Sequence, residues 1–528
     1  MLLHNVFTGK RLLRIVVLVV AALSLSPVLY LLIRASESAP QIPSLLTRPR
    51  TIQVLINSIL LTTLVTLSAT LLGCTLAWLT IRTDLPGRRF WSAITCLPLV
   101  LPSYVGAFAL LAALGPNGML QGVLAPLGVT KLPSIYGLPG AWLALTLFTY
   151  PYVQLSVRAG LRGLDPALED AAQCLGRTRT QVFRQIVLPH LRPAIGAGAL
   201  LVSLYTLSDF GAVSLLQYNV LTREIYIQYS TALDRSAAAI LALMLVALTG
   251  IIILIESWTR SHRPQYRTGS STARYHAPVP LGKWRWPAII LCASVTILGL
   301  GIPILVTAFW WIRGLHASAT IGAQMRILLN SVSASGLAAI ACVLAALPVV
   351  IQSTRYPGKL SRLAEKAAYT GHALPGIVVA LALVFLGIRY LPFLYQSLIM
   401  LVIAYTILFL PLALGSLRTV MLKLNPRTEE AAFMLGRPPC NVFFRITLPQ
   451  LRPGILTGMA LIFLTCMKEL PATLLLGPTG FETLATRIWS ATEEAFFAMA
   501  AAPALILMVA AAISLWILLH HEQDQLTT

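Results

Sequence analysis

Long apolar runs separated by short polar stretches occupy most of the chain. The runs hold about 20 residues or more, the length of helix that crosses roughly 30 Å of hydrocarbon. A transmembrane β-barrel would instead show alternating segments of about ten residues. The pattern predicts an all-α polytopic membrane protein with about 12 transmembrane helices, at roughly 14–33, 53–80, 91–114, 138–160, 195–217, 236–258, 286–311, 327–352, 367–388, 396–417, 455–476 and 497–520.

Arginine and lysine residues are concentrated in alternate loops between these runs. The loop after the fourth run is rich in arginine, whereas the loop after the third contains only Lys131. This bias is typical of cytoplasmic loops, and with an even number of spans it predicts that both termini are cytoplasmic. The first run follows the basic residues Lys10 and Arg14, as in a signal peptide. We interpret it as a retained span because it continues to Arg34 without a clear cleavage site.

Composition supports a membrane protein and argues against other classes. Only 11% of the 528 residues are charged and 57% are hydrophobic, whereas a soluble domain carries about 25% charged residues. The net charge of +21 is spread over the predicted cytoplasmic loops, so the expected partner is the lipid bilayer and not nucleic acid. The seven cysteines show neither a CxxC pair nor metal-ligand spacing to histidine, which favours small buried side chains.

A polar segment divides the chain into two related halves. Residues 259–285 are rich in Ser, Pro and Arg without apolar periodicity, which is typical of a linker. The first half, 1–258, and the second half, 286–528, contain six predicted spans each. Halves with the same topology predict a pseudo-two-fold axis along the membrane normal, with a substrate path between them. Short sequences recur in the same order in both halves, namely Asn57-Ser58 and Asn330-Ser331, Leu101-Pro102 and Leu374-Pro375, and Arg158 and Arg418.

The longest repeat is a polar loop, at about 161–194 in the first half and 419–454 in the second. Its copies read "EDAAQCLGRTRTQVFRQIVLPHLRPAI" from Glu169 and "EEAAFMLGRPPCNVFFRITLPQLRPGI" from Glu429, 260 residues later. In each copy an Asp-Pro or Asn-Pro pair favours the start of a helix, and a later glycine favours its end. A second short helix is expected to follow and to stop before the Leu-Pro pair of each copy.

The first helix of each loop contains an alanine pair, which allows close approach to a partner protein. The alternative is an amphipathic helix on the membrane surface, and the residues alone leave both open. Both copies resemble the EAA loop of bacterial ABC importer permeases, which reads EAA, three residues, Gly, nine residues and Ile-x-Leu-Pro. The matching residues are Asp170, Ala171, Ala172, Gly176, Ile186, Leu188 and Pro189 in the first copy, and Glu430, Ala431, Ala432, Gly436, Ile446, Leu448 and Pro449 in the second.

This resemblance implies a fold, a location and partners. EAA loops form coupling helices that sit in grooves of ATP-hydrolysing subunits, so each half would bind one copy of an ATPase dimer. The fold would be similar to a type I ABC importer in the bacterial inner (cytoplasmic) membrane, fed by a periplasmic substrate-binding protein. Asp170 shortens the carboxylate that is Glu in the family pattern, so the two copies are not expected to contact the ATPase identically. The chain has no Walker A sequence, so ATP hydrolysis is expected on a separate subunit.

Three ionisable residues fall inside predicted spans. Asp209 lies in the fifth span, and Lys468 and Glu469 lie in the eleventh. Such groups cost about 2.5–3.5 kcal/mol each on insertion scales, so they face a partner or a watery cavity. They would line a translocation pathway, or Lys468 would compensate one carboxylate in a structural ion pair. Gly211 and Pro471, which follow the acids, predict locally broken helices.

The same stretches narrow the family. The segments at 208–229 and 468–489, together with the fused two-half layout, resemble the iron(III) importer permeases over nearly the whole chain. The resemblance implies iron(III) as the cargo, but related fused permeases carry thiamine or aminoalkylphosphonates. A carboxylate pair suits passage of Fe3+ and also of an ammonium group, so the substrate stays open. We expect no cofactor in this chain, and no metal-binding residue is identified.

Two other classes of function compete with the importer. A secondary transporter with two six-span halves would be energised by protons through Asp209 or Glu469, and would not need the glycine turns of the repeated loops. An intramembrane enzyme would need catalytic motifs, and the chain contains neither HExxH nor GxSxG. The lone His372 in the ninth span is interpreted as structural or pore-lining. The sequence therefore predicts a transport permease and not an enzyme.

Overall fold

The computed structural model describes residues 2–37, 39–116, 118–128, 133–232, 234–259, 278–314 and 321–527. Within these ranges the chain forms helices and no β-strand. The helices of the first half are α1 Leu2–Glu37, α2 Ile42–Leu46, α3 Pro49–Arg82, α4 Arg88–Ile94, α5 Ser103–Leu114, α6 Met119–Leu124, α7 Leu138–Gly163, α8 Pro166–Cys174, α9 Arg179–Val182, α10 Leu188–Ser208, α11 Gly211–Leu215, α12 Leu221–Ser230 and α13 Arg235–Thr259. Those of the second half are α14 Arg285–Thr296, α15 Ile302–Gly314, α16 Ile321–Arg355, α17 Lys359–Tyr369, α18 Gly376–Tyr390, α19 Leu398–Met421, α20 Pro426–Met434, α21 Pro439–Val442, α22 Leu448–Met467, α23 Pro471–Leu476, α24 Leu484–Glu493 and α25 Phe497–Thr527.

Every predicted span contains a helix. In the described part of the chain, nine helical stretches are long and apolar enough to cross a membrane. Two shorter apolar helices accompany them, α18 and the first part of α25. The remaining predicted span, 138–160, corresponds to α7. The prediction of an all-α polytopic membrane protein is confirmed.

Two predicted spans begin later than expected. Helix α5 covers only the last part of 91–114, and α18 covers only the last part of 367–388, so the prediction of continuous helices there is wrong. A proline follows Leu101 and Leu374, and contact with the proline ring excludes the preceding residue from helical conformation. Both leucines are accordingly extended, with ψ of 131° and 126°.

The predicted breaks in the fifth and eleventh spans are confirmed. Helix α10 ends at Ser208 and α22 ends at Met467, and each is followed by a short helix, α11 or α23. Gly211 and Pro471 are the first residues of those short helices. The acidic residues therefore lie at the breaks, where free backbone groups are available to them.

The described residues form two compact units. We call Leu46–Glu224 with Ala247–Leu315 the first unit, and Met1–Leu45 with Ile225–Val246 and His316–Thr528 the second unit. Each unit contains the first span of the other half of the sequence. Helix α15 packs against α5 in the first unit, and α1 packs against α16, α17 and α18 in the second. The two sequence halves thus meet at the linker, but the compact units have a different composition. The first span of each half belongs to the unit that contains most of the other half. Residues 260–277 of that linker lie outside the described residues.

Equivalent helices form the centre of each unit. Helix α3 packs against α7 and α10 in the first unit, and α16 packs against α19 and α22 in the second. Small residues permit this close packing, as is typical of membrane helices. A Cβ atom added at Gly73 would lie 2.8 Å from the carbonyl oxygen of Tyr150, and one added at Gly458 would lie 2.5 Å from Ser416 Oγ.

Candidate functional site

The first helix of each repeated loop starts and ends as predicted. The Asp165 and Asn425 side chains accept hydrogen bonds from the amides two residues later, at 3.0 and 3.1 Å. These bonds cap α8 and α20. Gly176 and Gly436 follow the helices with φ of +81° and +74°, a left-handed conformation that costs glycine no steric energy. Each loop helix therefore has a fixed beginning and a sharp end.

The second helix of each loop does not stop before the Leu-Pro pair, so that prediction is wrong. Helices α9 and α21 lead into wide π turns at Phe183–Val187 and Phe443–Thr447, and the helical path continues into α10 and α22. In the first of these turns the Leu188 amide donates to the carbonyl of Phe183, five residues back. The wide turn makes room for the following proline, whose ring would clash with a carbonyl in a regular α-helix.

The residues of the EAA pattern divide between two faces. Ala172 and Ala432 are buried, and this is the face on which α8 and α20 approach the rest of the protein. The exposed members are Asp170, Ala171, Gly176, Glu430, Ala431 and Gly436. The half-buried members lie where the π turns meet the long helices, and they are Ile186, Leu188, Pro189, Ile446, Leu448 and Pro449. The pattern thus combines residues that hold the loop in place with residues that face outward.

The end of each loop helix presents large apolar side chains to solvent. Leu175 is 84% exposed and Leu435 is 82% exposed, and Met434 beside it is 90% exposed. Single exposed hydrophobic residues are common on proteins. Here an exposed leucine directly precedes the glycine turn in both loops, so the two copies share this surface feature.

Sequence reasoning missed the residues that fix the loop helices to the membrane helices. Arg82, the last residue of α3, forms an ion pair with Glu169 in α8, and both side chains are largely buried. Arg355, the last residue of α16, forms the equivalent pair with Glu429 in α20, with Nε 2.9 Å from Oε2. The signal was present in the sequence, because an arginine ends the second and the eighth span and a glutamate precedes the EAA pattern in both loops.

The two intramembrane carboxylates cap the short helices that follow them. Asp209 Oδ1 accepts hydrogen bonds from amides three and four residues later, at 3.0 and 3.3 Å, and the Ser103 hydroxyl donates to Oδ2. Glu469 Oε1 accepts one from the amide three residues later, at 3.3 Å. Lys468, half-buried, directly follows α22 and precedes Glu469. The carboxylates therefore shape the helix breaks, a structural task that sequence reasoning did not assign to them.

The part of the chain that the structure describes contains no preformed cluster of metal-ligating side chains. Among those residues, no group of three or more His, Cys, Asp or Glu could hold a metal ion. The side chain of His372 lies outside the described residues.

The duplicated Asn-Ser pairs make matching contacts in the two units, whereas the duplicated arginines do not. Asn57 and Asn330 each donate to a backbone carbonyl just before α12 or α24, at 2.9 and 3.0 Å. The serine that follows each asparagine accepts the first amide of the same helix, at 2.9 and 2.7 Å. Arg158 donates to the backbone at the end of α4, at 2.6 Å, and Arg418 pairs with Glu365 in α17. The Asn-Ser pair therefore repeats its polar contacts as well as its sequence.

These features define a class of membrane protein. The sequence profile of the binding-protein-dependent transport system inner membrane component matches residues 69–265 and again residues 338–526. The chain belongs to this family, with one match in each half of its sequence. It is therefore homologous to transport permeases, in agreement with its apolar helices.

Two named iron(III) permeases are similar over most of the chain, and other relatives match a shorter part of it. The chain is 33% identical over 496 residues to the Fe(3+)-transport system permease protein FbpB 2 of Haemophilus influenzae, covering 93% of this chain and 94% of the relative. It is 23% identical to the ferric transport system permease protein FbpB of Actinobacillus pleuropneumoniae, over 87% of this chain and 69% of the relative. The molybdenum transport system permease protein ModB of Escherichia coli is 32% identical over 39% of this chain and 92% of its own length. Similarity along both halves is thus found with permeases named for iron(III).

Proposed function

We propose that the chain is the membrane subunit of an ATP-driven importer for iron(III), which receives its cargo from a periplasmic binding protein. The assignment of iron(III) as the substrate rests on the similarity to the Haemophilus influenzae iron(III) permease over 93% of the chain. In this proposal the halves 1–258 and 286–528 are joined by the linker 259–285, and both termini are cytoplasmic. The residues Asp209, Lys468 and Glu469 lie along the pathway of the cargo.

The repeated loops supply the docking sites for an ATPase dimer. Each loop helix is capped at its start, ended by glycine and paired to a membrane helix, so it behaves as a rigid lever. The exposed leucine at its end would gain about 1.5–3 kcal/mol if a partner buried it fully. ATP hydrolysis then occurs on the partner, and its motion enters this chain through α8 and α20.

Two native cysteines allow a direct test of docking. Cys174 ends α8 and Cys440 lies in α21, and both are exposed, whereas the other five cysteines are buried or half-buried. A membrane-impermeant maleimide should label both in inside-out vesicles that contain the permease alone. Assembly with its ATPase subunit should protect both from labelling. Cys174→Ser and Cys440→Ser serve as controls for assignment, and labelling that is unchanged by the ATPase would contradict the docking.

The substrate is tested by uptake into proteoliposomes that contain the assembled importer and its binding protein. We expect ATP-dependent uptake of radiolabelled iron(III). Uptake of thiamine or of an aminoalkylphosphonate in its place would keep the importer class and overturn the iron assignment. Uptake that continues without the ATPase and stops when the proton gradient is collapsed would favour the secondary transporter.

A further inference from the structure

The two repeated loops are fastened to their membrane helices in different ways. In the first half, four residues separate the anchoring Arg82 from Gly87. In the second half, two residues separate Arg355 from Gly358. The first half therefore has two additional residues directly after its anchoring arginine, at the point where α3 ends.

The end of the linker pairs with this longer connection. The Val279 amide donates to the carbonyl of Arg82 at 2.8 Å, and the Asp84 amide donates to the carbonyl of Val279 at 3.2 Å. The Leu281 amide donates to Asp84 Oδ1 at 2.8 Å. Three hydrogen bonds thus join the linker to Arg82 and Asp84. The two between backbone groups form an isolated parallel bridge of Thr83 with Val279.

The linker sequence favours this pairing before it forms. Val279 stands between Pro278 and Pro280. A residue before proline is restricted to extended conformations, so Val279 is held in the shape that a strand requires. The flanking prolines have no amide hydrogen to donate, which leaves Val279 to make the bridge.

The same arginine that the linker contacts also holds the first loop. The Arg82 guanidinium pairs with Glu169 and lies 5.6 Å from the ring centroid of Trp78. In the second loop the additional support is different, because Thr447 donates to Glu429 at 2.9 Å. The residue equivalent to Thr447 in the first loop is Val187, which cannot donate such a bond.

We propose that residues 278–281 form a strap that positions the first coupling loop by fixing the backbone of Arg82, whereas the second loop is positioned without this strap. Arg82, Asp84 and Val279 are positioning residues, since they act on the loop through the pair of Arg82 with Glu169. The strap involves only residues of this chain and does not depend on any partner protein. Only its consequence for transport rests on the proposed function.

Hydrogen–deuterium exchange of the purified full-length chain tests the strap. Val279→Pro removes the amide that donates to Arg82 while keeping the segment extended, and Asp84→Ala removes the acceptor of the Leu281 amide. In both variants, peptides covering 166–176 should exchange about 2-fold to 10-fold faster, as expected for the loss of one hydrogen bond. Peptides covering 426–436 should be unchanged and provide an internal control.

Two matched variants complete this test. Val279→Ala keeps the backbone amide and Asp84→Asn keeps a carbonyl acceptor, so both should exchange like the parent chain. Unchanged exchange at 166–176 in Val279→Pro and Asp84→Ala, or equal acceleration in both loops, would overturn the strap. In the assembled importer the strap variants should transport less cargo per ATP hydrolysed. Failure of any ATPase to bind the parent chain would reject the proposed function, while the exchange result would still decide the strap.

Discussion

The Nε atom of Arg355 lies 2.9 Å from Glu429 Oε2, and a second guanidinium nitrogen lies 3.3 Å from Oε1. This is a two-pronged pair, in which a planar guanidinium matches both oxygens of a carboxylate. It fixes the orientation of α20 as well as its distance from α16. The corresponding pair of Arg82 with Glu169 joins α3 to α8. In each half, one arginine at the end of a long helix is thus paired with the glutamate of the loop helix.

Replacement of Arg355 by Gln should weaken the coupling of ATP hydrolysis to transport. The change removes charged hydrogen bonds worth about 1.5–3 kcal/mol, and Arg355→Lys should rescue little because an ammonium group cannot bind both oxygens in this geometry. The measurement is the amount of cargo transported per ATP hydrolysed in proteoliposomes. Arg445→Gln is the control, since Arg445 is exposed in the same loop. Equal behaviour of Arg355→Gln and Arg445→Gln would contradict the prediction.

Replacement of Gly436 by Ala should destabilise the second loop through its backbone. A Cβ atom at this position meets no atom within 4 Å, so the cost comes from the positive φ and is about 1–2 kcal/mol. Asn tolerates this conformation better than Ala, so Gly436→Asn should be milder. Co-purification of the ATPase and the thermal unfolding temperature are the measurements. The control is Gly415→Ala, a helical position with equal space, and a similar loss there would show that the turn is not the cause.

Much of the architecture could be predicted because it depends on local chemistry. Runs of apolar residues predict where the long helices lie. Asp165, Asn425, Gly176 and Gly436 determine the ends of the loop helices through caps and turns that need only neighbouring residues. The repeated loops could be recognised as one duplicated unit because two copies of the same sequence pattern occur in the chain. These predictions depend on residues that are close together in the sequence and therefore also close together in space.

The missed features depend on contacts between distant segments. The pair of Arg82 with Glu169 joins residues that are 87 apart in the sequence, and the residues around Arg82 do not identify its partner; only the repetition of both residues in the second half points to it. The packing of each first span in the unit of the other half could not be predicted for the same reason. An apolar run does not show against which helices it packs. The π turn before Pro189 was missed because a proline normally predicts a helix end. Its wider turn can be recognised only in the structure.

Replacement of Ser58 by Ala, or of Ser331 by Ala, should lower stability by similar amounts. Each serine accepts the first amide of a helix, α12 or α24, and is itself buried. Loss of the acceptor leaves a buried amide without its bond, at a cost of about 1–3 kcal/mol. The thermal unfolding temperature of the purified protein is the measurement. Ser333→Ala is the control, because the Ser333 hydroxyl bonds only within its own helix turn and is exposed; an equal loss there would contradict the prediction.

The site around Asp209 and the site around Glu469 each contain an acid and a neighbouring small residue. We expect one site to tolerate the residues of the other only when both residues are exchanged together. Ser103 donates to the shorter Asp209, whereas a Cβ atom at Gly376 would lie 2.5 Å from Oε1 of the longer Glu469. Ser103 and Gly376 occupy equivalent positions, each directly after the Leu-Pro pair of its half. The first site therefore pairs a serine with an aspartate. The second site pairs a glycine with the longer glutamate.

This relationship predicts a rescue that neither single change can give. Gly376→Ser should destabilise the protein, because the new side chain displaces the carboxylate that caps α23, a cap worth about 0.5–2 kcal/mol. Addition of Glu469→Asp should restore stability, since the shorter acid leaves room for the hydroxyl as Asp209 does beside Ser103. Thermal unfolding checks the cap, and uptake at matched protein levels checks the pathway. Asp209→Asn and Glu469→Gln keep a capping oxygen without the charge, so normal uptake in both would remove the carboxylate charges from the pathway and leave them their structural task.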